Sequence, residues 1–250
     1  MKNIKPSGMA LPDESQCPHC GYFDITHPDV QRILKARDPT GRLFSIAQCK
    51  CPALERQHKS RMAIMAQQAN LPRSNPVRTL MSFQSRDGTV NGLTAAQALM
   101  KGQAPPILCL QGEYGTGKSH LLEGLVRQSL AEEHSARYEL ASELLDRLRH
   151  TYDDDSAQDM YELMQWYHRL SLLVIDDLGL QRTTDFGIEK LTEIFDHRLR
   201  YQKRLAIATN CSESEFAAKM GGRLASRVFQ RNPLLQEVTL VHMTATDYRR

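Results

Sequence analysis

The run Gly112-Glu113-Tyr114-Gly115-Thr116-Gly117-Lys118-Ser119 fits the pattern G-x-x-x-x-G-K-[ST] of a phosphate-binding loop. Glycines let such a loop turn tightly and bring its backbone close to phosphate oxygens. Backbone N–H groups at the start of the following helix point at the anion. Lys118 is placed to reach the β- and γ-phosphates, and Ser119 to ligate Mg²⁺. Gly112, Gly115, Thr116, Gly117, Lys118, Ser119 and His120 are therefore the candidate nucleotide-binding residues. The plainer alternative is a glycine-rich turn before an ordinary helix. The flanks speak against it, because Ile107–Leu110 is an apolar run of buried-strand type and His120–Val126 has helical apolar spacing.

A second chemical cluster lies 58 residues beyond Lys118, where Leu172-Leu173-Val174-Ile175 ends in Asp176-Asp177. An apolar strand ending in two acids puts carboxylates at the C-terminal edge of a sheet, where α/β folds bind ligands. Asp176 would hold Mg²⁺ together with Ser119, directly or through water, and Asp177 would orient and activate an attacking water. The alternative is a strand running into an ordinary turn at Leu178-Gly179.

The third cluster is Cys17-Pro18-His19-Cys20 with Cys49-Lys50-Cys51, separated by 28 residues. Two such pairs suit tetrahedral thiolate ligation of Zn²⁺. Disulfides and free thiols are the alternatives, and a reducing compartment disfavours the first. His19 and His27 are close enough in sequence to replace one cysteine, or are plain surface residues. Cys109 and Cys211 stand in apolar strand-end settings and read as core.

These groups need elements to position them. Tyr22–Ile25 and Arg42–Ile46 are strand-like and would frame the cysteines, with a turn at Asp38–Gly41. A basic helix is expected over 52–70, broken by Leu71-Pro72, and a helix over Thr94–Lys101. Beyond the loop helix, short strands are expected at Arg137–Leu140, Leu205–Asn210 and Glu237–Val241. Helices are expected at 143–149, Tyr161–Leu170, Glu189–Arg200, Phe216–Met220 and 223–228. Trp166, the single tryptophan, reads as a packing anchor, and Asp153-Asp154-Asp155 as a solvated break.

Composition sets the frame. A chain of 250 residues with 41% hydrophobic and 24% charged content is ordinary for a globular protein. No apolar run approaches a membrane span, and no apolar segment follows the N-terminal lysines, so the expectation is a cytoplasmic protein without membrane contact. Residues 1–80 carry 12 Lys/Arg against 6 Asp/Glu, while the rest carry 20 against 23. The basic third suits nucleic acid or an acidic partner, or is simply solvated.

The order of the pieces resembles the AAA+ ATPases, and more narrowly the DnaC/IstB-like group of helicase loaders and transposition helper ATPases. Gly112–Ser119, Leu173–Gly179, Ala208-Thr209-Asn210 and Gly222–Val228 carry the resemblance. It implies that Asn210 is the sensor-1 residue and that Arg227 is an arginine finger acting on a neighbouring subunit, with Arg223 next in line. It also implies a homo-oligomer without a C-terminal lid domain. Asp177 stands where many AAA+ proteins have glutamate, which suggests slow hydrolysis.

The expected architecture is a zinc-ribbon-like domain over 1–70, a linker with a helix over 71–104, and a parallel P-loop α/β sheet with helices on both faces over 105–250. The expected function is an ATPase that delivers a replicative DNA helicase to single-stranded DNA. The alternative is an IstB-like helper that assembles on DNA and recruits a transposase. A non-hydrolysing adaptor and a small-molecule kinase fit less well, given the intact acids and the lack of an acceptor lid. Arg147 and Arg149 are the candidate DNA contacts, judged only by their charge near an expected channel.

Overall fold

Strands that are apolar at every position bury both faces, and this chain has several. In the computed structural model, five strands form one all-parallel sheet: β1 (Ile107–Gly112), β2 (Ala136–Leu140), β3 (Leu172–Asp176), β4 (Arg204–Thr209) and β5 (Val238–Met243), in the order β2-β3-β4-β1-β5, with β1, β3 and β4 the most apolar and most deeply buried. The structure describes residues 52–73, 77–153, 157–180, 183–229 and 237–246. Cys17, Cys20, Cys49 and Cys51, and the two strands expected between them, lie outside the described residues. Met65–Arg250 forms one of two units into which the chain divides.

Helices cover both faces, as the alternation along the strands requires. Ile107, Cys109, Leu173, Ile175, Leu205 and Ile207 belong to one core. The helices α4 (Ala141–Asp153), α5 (Ala157–Arg169), α6 (Asp185–Arg200), α7 (Glu213–Met220) and α8 (Gly222–Val228) supply the rest of that core. Leu108, Leu110, Leu172, Val174, Ala206 and Ala208 face the other core, with α2 (Val90–Lys101) and α3 (Lys118–Ala131). The stretch 71–104 contributes Leu80, Phe83, Ala96, Leu99 and Met100 to this second core. Helix α1 (Pro52–Gln68) precedes these elements and starts on a proline, where the missing N–H costs nothing.

Local chemistry fixes the element ends. Thr184 caps α6 by accepting from the Gly187 amide, and Ser212 with Glu215 forms a reciprocal capping box on α7. Arg198 is fully buried and donates to the carbonyls of Tyr167 and Leu170, at the end of α5, and of Arg204, at the start of β4. Gly124 lets α3 approach the preceding segment, since a Cβ there would come within 2.7 Å of the Leu80 amide nitrogen. Arg78 adds an ion pair of 2.7 Å to the buried Glu123 of α3. Among the described residues no helix is long and apolar enough to cross a membrane.

Candidate functional site

The glycine loop joins β1 to α3. Gly115 and Gly117 have φ of 76° and 92°, in the left-handed region that glycine tolerates. A Cβ on Gly112 would run into the Met243 carbonyl oxygen of β5, so the first glycine is fixed by strand packing as well as by the turn. Thr116 Oγ1 donates to the Glu113 carbonyl at 2.9 Å, closing the loop on itself. The buried Lys118 places Nζ 2.8 Å from the carbonyls of both Gly112 and Glu113. An ammonium bonds a phosphate oxygen more strongly than a neutral carbonyl, so this cation is held in a position it can exchange for an anion.

The two acids sit at the end of β3. Asp176 is 1% exposed, and both its oxygens are engaged. Oδ2 accepts from the Tyr138 hydroxyl at 2.6 Å, and Oδ1 accepts from the Asp177 amide at 2.9 Å. Asp177 has φ of 56°, which swings it off the line of the strand. Burial first, and then the neighbouring Asp176, hold the Asp177 carboxyl above the usual carboxylate range, while Lys118 pulls it back. Lys118 and the two acids therefore share one electrostatic field.

Asn210 follows β4 directly. Ile175 and Ile207 are in register, as are Gln111 and Thr209, so the C-terminal ends of β3, β4 and β1 converge. Both amide atoms of Asn210 are buried without a hydrogen-bond partner among the described residues. Leaving a buried polar group unpaired costs about 1–3 kcal/mol. A ligand at the strand ends would offset that cost. The loop cradle, the buried lysine, the paired acids and this amide together fit a magnesium nucleotide.

Other sequence-predicted residues have different surroundings. His120 turns its Nε2 to the Thr79 carbonyl at 3.0 Å and the Ser82 hydroxyl at 3.2 Å, with its ring edge-on to Phe83. It ties α3 to the segment before α2. Arg227 pairs through Nε with Asp196 Oδ1, and Arg223 pairs with Asp196 Oδ2 at 3.1 Å, so one carboxylate of α6 holds both arginines of α8. Arg147 lies 3.6 Å from the fully buried Glu139, which also takes Arg137 and the Tyr167 hydroxyl. Arg137 is the buried partner of Glu139, and Arg147, itself 40% exposed, adds a second and partly screened charge to it. Arg149 pairs with Asp146 on the surface, a contact worth about 1 kcal/mol or less, and stays available to a partner. Cys109 and Cys211 are buried core thiols, and Trp166 packs on Tyr167 under Arg137.

Tyr138 and Asp196 escape a sequence reading. Each acts on residues far away in the chain, and neither has a local pattern that marks it. A groove of about 660 Å³ runs along α6, lined by His168, Glu189, Glu193, His197 and Arg223 among others. No residue of the glycine loop lines it, so it is separate from the chemistry described above.

Residues 54–250 match the family model of the IstB-like ATP binding protein. The replicative helicase loader DnaC of Escherichia coli K12 is 24% identical over 191 residues, covering 73% of this chain and 76% of its own length. Among solved structures, a crystal structure of the DnaC helicase loader aligns with a TM-score of 0.55 and 20% identity, over 66% of this chain and 96% of that one. AMPPCP-bound DnaA from Aquifex aeolicus aligns with a TM-score of 0.60 and 19% identity, over 69% of this chain. The chain spans about half the length of that DnaA chain, 51%. At these identities the structural likeness is one of fold.

Proposed function

Because this chain belongs to the IstB-like ATP-binding proteins, we propose that it is a slow ATPase that loads a replicative helicase onto single-stranded DNA. The observation that carries the ATPase reading is the convergence of Lys118, Asp176, Asp177 and the unpaired amide of Asn210 at the strand ends. Bound ATP with Mg²⁺ would supply the phosphoanhydride whose cleavage resets the protein. The loop amides and Lys118 bind and orient the phosphates, with Gly112, Gly115 and Gly117 allowing the approach. Ser119 and Asp176 would hold the metal. Asp177 takes a proton from water on its carboxylate, helped by its raised proton affinity, and Asn210 orients that water. Arg227 of one subunit completes the site of the next.

The loader reading draws on the likeness to DnaC, which extends over 76% of that protein. Arg149 is the DNA contact left by the local pairing. The cysteines Cys17, Cys20, Cys49 and Cys51 are assigned to one structural Zn²⁺. Metal analysis of the purified chain should find about one zinc per chain, and its absence removes that assignment. The second reading, a helper that assembles on DNA and recruits a transposase, is favoured by the family match over 54–250. Pull-down from the source cell in ATP separates the two. A co-purifying replicative helicase supports the loader, a transposase supports the helper, and no hydrolysis by the purified protein leaves a nucleotide-binding adaptor.

A further inference from the structure

The edge strand β2 carries a residue that reaches the metal-holding acid of β3. Tyr138 pairs with Val174, and Leu140 pairs with Asp176, so Tyr138 stands diagonally across from Asp176. A diagonal cross-strand neighbour is within reach of a long aromatic side chain. The hydroxyl closes that distance and donates to Asp176 Oδ2 at 2.6 Å, while Oδ1 is held by the Asp177 amide. Both carboxylate oxygens are thus fixed from the protein side, and the carboxylate plane is set.

The tyrosine is itself anchored. β2 is the outer strand of the sheet, and its free backbone groups at Tyr138 are taken by the two residues after Gln68, the end of α1. The Tyr138 amide donates to the Ala69 carbonyl at 2.8 Å, and Asn70 Nδ2 donates to the Tyr138 carbonyl at 3.1 Å. Arg137 adds a bond to the Gln68 carbonyl at 2.7 Å. The ring is buried in the core shared with Leu121 and Val174. A hydroxyl so placed has no freedom to leave the carboxylate.

We propose that Tyr138 is a positioning residue for the metal site, orienting Asp176 for Mg²⁺ through its hydroxyl. The proposal rests on the nucleotide-binding reading given above. Outer partners of metal-holding groups typically contribute about 10–100-fold in metal affinity or activity. Tyr138→Phe keeps the ring and its packing and removes one oxygen. Fluorescent ATP analogue binding is titrated in EDTA and against Mg²⁺, for wild type, Tyr138→Phe and Asp176→Asn.

Tyr138→Phe should raise the Mg²⁺ midpoint about tenfold or more, leaving the affinity in EDTA near wild type while the thermal midpoint falls modestly, because Asp176 Oδ2 loses its donor. Asp176→Asn should show the same split, more strongly. A midpoint unchanged in Tyr138→Phe overturns the assignment. So does a parallel loss of EDTA affinity, which marks a general structural defect. If wild type itself shows no Mg²⁺-dependent binding, the nucleotide reading fails with it, an outcome distinct from the other two.

Discussion

The buried ammonium of Lys118 is the cation nearest the loop's interior, 2.8 Å from two loop carbonyls. Charge-assisted hydrogen bonds contribute about 1.5–3 kcal/mol each. Lys118→Ala should therefore weaken nucleotide binding by about 10–100-fold or more, with the fold intact, as read by fluorescent-nucleotide titration. Wild-type affinity in the variant would remove the loop assignment. The motif made this residue legible from the sequence alone. It did not reveal what engages Asp176, because Tyr138 is 38 residues away and on another strand.

Contacts between elements carry a different prediction. His168 of α5 and His197 of α6 stack with ring centroids 3.7 Å apart and an interplanar angle of 5°. Burial, then His197, push His168 down to about 4, against the pull of Glu193 and with Arg198 adding to the shift. Burial also lowers His197, with Arg198, Lys203 and Arg200 acting in the same direction. The folded protein keeps His168 neutral where the unfolded chain takes up a proton, near pH 6.5. Below that pH the unfolded state binds more protons, so stability falls as pH drops from about 6.5 toward about 4. His168→Phe keeps a flat ring against His197 and removes one titration. Thermal midpoints measured across that window should decline less steeply in the variant than in wild type. Equal slopes would show that the pair is not what senses acid.

The whole molecule holds Arg227 and Arg223 on the same carboxylate, Asp196. For Arg227 to serve a neighbour's phosphate it must exchange Asp196 for that anion, a trade one carboxylate with two arginines can make while keeping Arg223. An arginine finger is worth about 10³–10⁵ in rate in well-studied NTPases, and a slow switch should show less. Arg227→Ala should keep nucleotide binding and lose most hydrolysis. Mixed with Lys118→Ala chains it should regain part of the activity that each lacks alone, because a working interface takes Lys118 from one chain and Arg227 from another. A mixture that co-assembles and stays inactive would assign the role elsewhere, with Arg223 next.

Sequence by itself determined the fold class and the order of elements around the loop, and it marked the loop and the strand-end acids as candidates. The physical reason is locality. A glycine loop needs its glycines and lysine at fixed spacing, and a strand buried on both faces must be apolar throughout, as Leu172–Ile175 is. Tertiary structure alone decided which residues complete those groups. Strand order brought Tyr138 to Asp176, and packing of α6 against α8 brought Asp196 to Arg223 and Arg227. It also folded the stretch after α1 onto the edge of β2, where Ala69 and Asn70 take the backbone of Tyr138. It gave Arg147 to Glu139 and turned His120 to Thr79, pairings between residues 8 and 41 positions apart that no local pattern encodes.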